Sequence, residues 1–401
     1  MQPNYRRTIT ACYLGIITQA ISANYAPLLF LTFRGEFGLS LEQVALIPTL
    51  FYFTQLLVDL VSAKFVDKIG YRPCILASEI FSVTGIVGLA FIPGLFTNPF
   101  AGILICVVLY AVGSGLIEVL VSPIIEACPS ENKAAAMSLM HSFYCWGVVA
   151  VILGSTLFFA LFGIGNWRIL ACLWALVPVA AIYFFSVCPI GHTVEEGQGM
   201  SISQLLRLPL FWLLCLLMIC AGSAELSMAQ WASAFTESAL GISKAVGDLA
   251  GPCLFAVLMG TARVMYSRMN AQTDLTRFML YSSILCVACY LLACLAESPF
   301  LGLVGCALCG FSVGIMWPGA ISVSARSCPK GGTAMFALLA LAGDAGGSLG
   351  PSLVGKVSSL TGDNLKLGLL AAIVFPVLMI IGLLELRRKT KRAGISERDD
   401  P

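Results

Sequence analysis

The 401 residues predict an all-α membrane protein, with twelve transmembrane helices in two six-helix bundles related by a pseudo-two-fold axis along the membrane normal. Three observations carry this. Hydrophobic residues make up 59% of the chain and charged residues 11%, where a soluble domain carries about 25% charge; mean hydropathy is +0.92. Twelve runs reach the ~20 mostly apolar residues needed to cross a bilayer. The stretch 100–154 returns at 300–354 without a gap: Phe100 matches Phe300, Gly102 Gly302, Cys106 Cys306, Ser122 Ser322, Cys128-Pro129 Cys328-Pro329, Ala134 Ala334 and Gly147 Gly347. A shared order of helix, Cys-Pro turn and helix in one register marks a duplicated half.

The runs fall at 8–33, 42–63, 73–93, 99–127, 133–162, 167–187, 209–236, 245–267, 275–296, 299–325, 332–359 and 365–386. The longest internal polar stretch, CPIGHTVEEGQGMSISQLLRL, separates the sixth from the seventh. The expected domains are an N-terminal bundle over 1–188, a cytoplasmic linker over 189–207, a C-terminal bundle over 208–388 and a cytoplasmic tail over 389–401. The charged chain from Arg387 onward is expected to be disordered. Arg6 and Arg7 precede an apolar run without a small-residue cleavage site, so the first helix is expected to serve as its own anchor.

An even helix number puts both termini on one side. That side collects 18 of the 23 Lys and Arg residues, Arg263 among them, and leaves Arg34, Arg168, Lys244, Lys356 and Lys366 on the other. Such an excess marks the cytoplasmic face. The expected location is a multi-pass protein of the cytoplasmic (inner) membrane with both termini inside. Glycine and proline within the helices, densest over 343–351, permit close helix approach and bending.

Between the second and third helices, residues 63–73 read A-K-F-V-D-K-I-G-Y-R-P. Asp67 is expected to cap the next turn, with Lys68 and Arg72 holding the loop at the cytoplasmic face. The segment resembles the signature loop of the major facilitator superfamily, Gly-x-x-x-Asp-Arg/Lys-x-Gly-Arg/Lys. Asp67, Lys68 and Gly70 fit, Ala63 stands at the first glycine, and the basic residue comes as Arg72, one place late. The resemblance implies a twelve-helix transporter working by alternating access, in which this loop gates the cytoplasmic side.

Glu118 lies ten residues before Cys128, ~15 Å along a helix, near the middle of a ~30 Å hydrocarbon core. A charged side chain there costs at least ~2.5–3.5 kcal/mol unless paired, hydrated or protonated. It is a candidate proton carrier, or else one end of an interhelical hydrogen bond. With Asn24-Tyr25 in helix one, the pattern Glu118, Ser122, Pro123 resembles the fucose permease branch of sugar–proton symporters, which carries a helix-four glutamate followed by a small residue and proline. That branch also places an acid in helix one, where Pro27 stands here.

His141 lies ten residues after Glu131, at the depth of Glu118, on the neighbouring antiparallel helix. An imidazole and a carboxylate at one depth could exchange a proton; a packing histidine bonded to a backbone carbonyl is the other reading. Trp146 could offer a ring face to a sugar or simply pack. In helix seven, Glu225 with Gln230 and Trp231 also resembles sugar-transporting relatives of fucose permease, implying a cavity wall. Asp344 is mid-helix among glycines. Gln19, Asn24, Gln55, Gln230 and Trp317 could bond or stack on solute. Asp59 and Glu79, near Lys64 and Arg72, are assigned to a cytoplasmic charge network, as are Glu126 and Arg326 at matching ends of helices four and ten.

The 16 cysteines are scattered through apolar runs, including Cys286/Cys289 and Cys306/Cys309, and the only histidines are His141 and His192. Small packing residues are expected, with no metal and no cofactor. No phosphate loop, HExxH helix or nucleophile elbow occurs, which argues against ATP drive and against an enzyme. A net charge of +2 gives nucleic acid no purchase. The expected partners are a small solute, protons and lipid, and a monomer is expected. The function implied is proton symport of a small polar organic solute, a sugar by resemblance. The alternatives are a proton-coupled exporter of drugs or metabolites and a transport-inactive receptor or scaffold. Drug exporters of the superfamily carry Gly-x-x-x-Gly-Pro in helix five, which HSFYCWGVVAVILGS lacks. Single cysteines placed at residue 200 and at the C-terminus should react with impermeant maleimide only from the cytoplasmic side; labelling from outside would reverse the topology.

Overall fold

The computed structural model describes residues 5–191, 199–236, 244–269, 273–362 and 364–392; His192 lies outside them. Among the described residues there is no strand, and the helices form twelve spans. These are α1 Arg6–Asn24, α2 Leu41–Ile69, α3 Tyr71–Phe91, α4 Pro99–Ala127, α5 Lys133–Phe162, α6 Ile164–Val187, α7 Pro209–Ala234, α8 Lys244–Ser267, α9 Leu275–Leu295, α10 Pro299–Ser327, α11 Gly332–Leu360 and α12 Leu365–Lys389. Short turns interrupt α6, α10 and α12. Ten spans are long and apolar enough to cross a membrane. The other two are α1, which carries Arg6, Arg7, Gln19 and Asn24, and α8, which carries Lys244, Asp248 and Arg263. Both are diluted by polar residues.

Local chemistry sets the helix starts. Ser40 opens α2 with a capping box, its hydroxyl accepting from the Gln43 amide at 3.1 Å while the Gln43 side chain accepts from the Ser40 amide at 2.9 Å. Asn98 caps α4 and Ser298 precedes α10, each followed by proline at the first helical position. The 200-residue offset therefore reappears in the elements: α4 and α10 begin at Pro99 and Pro299 and end before Cys128 and Cys328.

Three boundaries differ from the sequence expectation. The segment 63–73 is barely a loop: α2 continues through Ile69, and only Gly70, at φ +94°, separates it from Tyr71. Pro73 sits in the first turn of α3, where its missing N–H costs no hydrogen bond. After Asn24, the chain takes a 3-10 turn at Ala26–Leu29, with Pro27 in it, before the short helix Phe30–Phe37. The basic end of the last helix stays helical to Arg392, since Lys and Arg are good helix formers; residues 393–401 lie outside the description.

By internal contacts the chain divides into two compact units. The first comprises Met1–Pro129, Phe143–Ile202 and Lys330–Leu338, and the second Ser130–Ser142, Ser203–Pro329 and Leu339–Pro401. Within the second unit, α7 and α11 meet backbone to backbone. A β-carbon at Gly222 would lie 3.0 Å from the Gly343 carbonyl carbon, and the Ser223 hydroxyl donates to the Gly346 carbonyl at 2.8 Å. Lipid supplies no hydrophobic force between helices, so such close van der Waals contact is what holds them. Gly222→Val should force α7 from α11 and destabilise the protein by about 1–3 kcal/mol, read as a lower thermal unfolding midpoint in detergent; an unchanged midpoint would refute this packing.

Candidate functional site

In the first unit, Glu118 of α4 is the acceptor for two amides. Gln19 of α1 donates to Oε2 at 2.8 Å, and Gln55 of α2 donates to the same oxygen. The hydroxyl of Ser114 donates to Gln55 Oε1 at 3.2 Å. Ser114 lies four residues before Glu118, on the same helix face, and was not singled out from the sequence. Gly115 lets α2 come near: a β-carbon there would stand 3.0 Å from Val58. The result is a chain of side chains linking α1, α2 and α4, with Gln55 buried and Gln19 and Glu118 half-buried. Asn24 turns instead to its own helix, donating to the Ala20 carbonyl at 2.9 Å. Trp146 is exposed.

In the second unit the centre is Arg263. Sequence counting placed it among the cytoplasmic loop cations; it is instead buried in α8, at 3% exposure. Its Nε donates to the Gly314 carbonyl at 2.8 Å, Nη1 to the His141 carbonyl at 2.9 Å and Nη2 to Glu225 Oε2 at 3.1 Å. The Gly314 carbonyl needs an outside donor because the residue four places on, Pro318, has no N–H. That proline was the sequence signal for a buried donor. His141 is buried and contributes its backbone carbonyl here. Glu118 falls in the first unit and His141 in the second.

Asp344 is half-buried. Beside it, Gly343 makes room for Trp317, since a β-carbon there would lie 3.0 Å from Trp317 Cζ2. Trp231 gives its indole N–H to the Pro351 carbonyl at 3.1 Å, so its polar edge is used on α11. Gln230 is exposed. No cluster of three or more His, Cys, Asp or Glu able to hold a metal occurs among the described residues.

Residues 11–351 match the sequence profile of the Major Facilitator Superfamily. The chain belongs to that superfamily. Its members are transporters, which implies a small-molecule substrate and a multi-pass membrane protein. No curated protein sequence matches it. Among solved structures it is similar to the E. coli fucose:proton symporter FucP, with 15% identity, 95% of this chain and 98% of that one covered, and a TM-score of 0.76. It is also similar to the human organic anion transporter MFSD10, with 17% identity, 95% and 100% covered and a TM-score of 0.77. The proton:xylose symporter XylE follows with 11% identity, 95% of each chain covered and a TM-score of 0.76. At these identities the likeness is one of fold.

The segment 63–73 is built from helix ends. Arg72 donates from Nη1 to the Phe185 and Ser186 carbonyls at 2.6 and 2.7 Å, and from Nη2 to the Cys188 carbonyl at 2.6 Å. These are carbonyls at the C-terminus of α6, which lack helical partners and carry partial negative charge. The neighbouring Tyr71 hydroxyl bonds to that of Thr333. Asp67 and Lys68 are exposed in the last turn of α2. Asp67 does not cap α3: the cap position is Gly70, and no side chain bonds there. Asp59 and Glu79, assigned from sequence to the cytoplasmic network, are both fully buried inside their helices.

Breaking the Arg263–Glu225 pair from one side should be costly. Arg263→Met leaves Glu225 buried without its cation and should lose about 3–5 kcal/mol of stability; adding Glu225→Gln should recover part of it. Detergent unfolding of the two variants tests this, and a double variant no more stable than the single one refutes the coupling.

Proposed function

We propose that the chain is a secondary active transporter that moves a small polar organic solute, a sugar first of all, by proton symport with alternating access. The observation that carries this is the linked set Gln19, Glu118, Gln55 and Ser114. A half-buried carboxylate within a span can take up a proton. The amides around it carry both donors and acceptors, the kinds of group that a polyhydroxylated solute presents. Protonating Glu118 weakens its hold on both amides and frees them for solute, which couples the two bindings. Fucose and xylose are carried by proton symporters of the same fold.

In this reading Glu118 is the first proton carrier, with Glu225, Asp344 and His141 in reserve. Gln19 and Gln55 lead solute binding; Asn24 and Trp231 already use their polar groups on backbone, and Trp146, Gln230 and Trp317 offer further wall. Asp67, Lys68, Gly70 and Arg72 gate the cytoplasmic side. The protein works as a monomer in the cytoplasmic membrane with both termini inside. A second reading, an anionic solute, is favoured by the buried guanidinium of Arg263 and by the organic anion transporter of the same fold.

The test is uptake of radiolabelled fucose, xylose and a panel of carboxylates into proteoliposomes, with and without an imposed pH gradient. Glu118→Gln keeps the shape of the protonated acid and should still exchange solute across the membrane. It should fail to accumulate it and should lose the response to external pH. Normal accumulation by Glu118→Gln would remove Glu118 as the carrier, and accumulation of carboxylates alone would favour the anion reading.

A further inference from the structure

Glu79 lies about two turns into α3, is fully buried, and has no hydrogen-bond partner on either carboxyl oxygen among the described residues. Apolar side chains and one threonine hydroxyl are placed near it. From α1 comes Gly15, so close that a β-carbon there would stand 3.2 Å from Oε1. Also from α1 comes the buried Thr18 hydroxyl, a polar group placed against the carboxyl. Val121 of α4 and Phe185 of α6 converge on the same spot at Gly15.

Among the described residues, no cation is shown against Glu79. On the helices packed against α3, Arg6, Arg7, Lys64 and Lys68 are exposed, and Arg168 pairs with Glu36. On α3 itself Arg72 is committed to the end of α6, and Ser78 and Ser82 donate to α3 carbonyls. Cys106 and Tyr110 of α4 meet α3 further along, at Gly88 and Gly85, and Asp59 and Glu118 are themselves acids. An ionised carboxylate in such surroundings is far more costly than a neutral acid, whose remaining demand is a single O–H donor.

We propose that Glu79 is a second proton-binding site of this transporter, holding its proton while α1 packs over it at Gly15 and Thr18. When α1 moves away, water reaches the carboxyl, the O–H bond breaks, and the proton passes to water. A role for this proton in transport rests on the proton-coupled reading above; its presence is measured without any solute.

Infrared spectra of the full chain in liposomes at pH 7 provide the test. The carbonyl band of a protonated carboxylic acid is expected in the wild type and in Glu118→Gln, and its loss is expected in Glu79→Gln. The amide reproduces the neutral acid's shape, so Glu79→Gln should unfold at the wild-type temperature. In deuterium oxide the band should shift slowly in the wild type and faster in Gly15→Val, which wedges α1 off the carboxyl. A band that persists in Glu79→Gln overturns the site, and equal exchange rates in Gly15→Val and wild type overturn the gate. With the band intact, an absence of proton-driven uptake counts against the coupling and not against the site.

Discussion

Hydrocarbon does not hold a bare carboxylate at less than ~2.5–3.5 kcal/mol, and the helices of this protein are arranged around ways of avoiding that cost. Glu118 accepts from two glutamine amides. Glu225 faces a guanidinium whose other donors go to two backbone carbonyls. Glu79 lies against apolar side chains and one threonine hydroxyl, with no cation shown against it among the described residues. Each solution ties several helices to one carboxyl: α1, α2 and α4 to the first, α5, α7, α8 and α10 to the second, α1, α3, α4 and α6 to the third. Shifting any of these helices changes the solvation of an acid. In a transporter that is the required link between motion and binding.

The helical pattern and the superfamily were legible because lipid imposes long apolar runs and the duplicated half repeats them in register. What escaped the sequence was the helix face. Arg263 and Glu79 were assigned by distance along the chain from a cytoplasmic turn, but burial depends on the direction in which a side chain projects. Pro318, four residues after Gly314, was a readable sign that some buried donor must satisfy an open carbonyl. Ser114 was equally readable as the residue one turn before Glu118. The segment 63–73 looked like a loop because it is charged; those residues are also good helix formers, so both helices run on to Gly70.

Fold and solute separate cleanly here. A fucose symporter, a xylose symporter and an organic anion transporter share this architecture with the chain at 15%, 11% and 17% identity. Choice among solutes therefore lies with a few side chains. Just after helix one this chain has Pro27 in a 3-10 turn. Its contribution from that helix is Gln19, a neutral group that reaches Glu118.

Gly70 has a mechanical consequence. A connection of one residue has no slack, so α2 and α3 cannot tilt independently; a swing of one is delivered to the other through two torsion angles. Arg72, the second residue of α3, rivets the far end of α6 to the same corner. The three helices form a crank with its elbow at Gly70. A β-carbon at that elbow would stiffen it by driving the backbone out of its positive-φ basin.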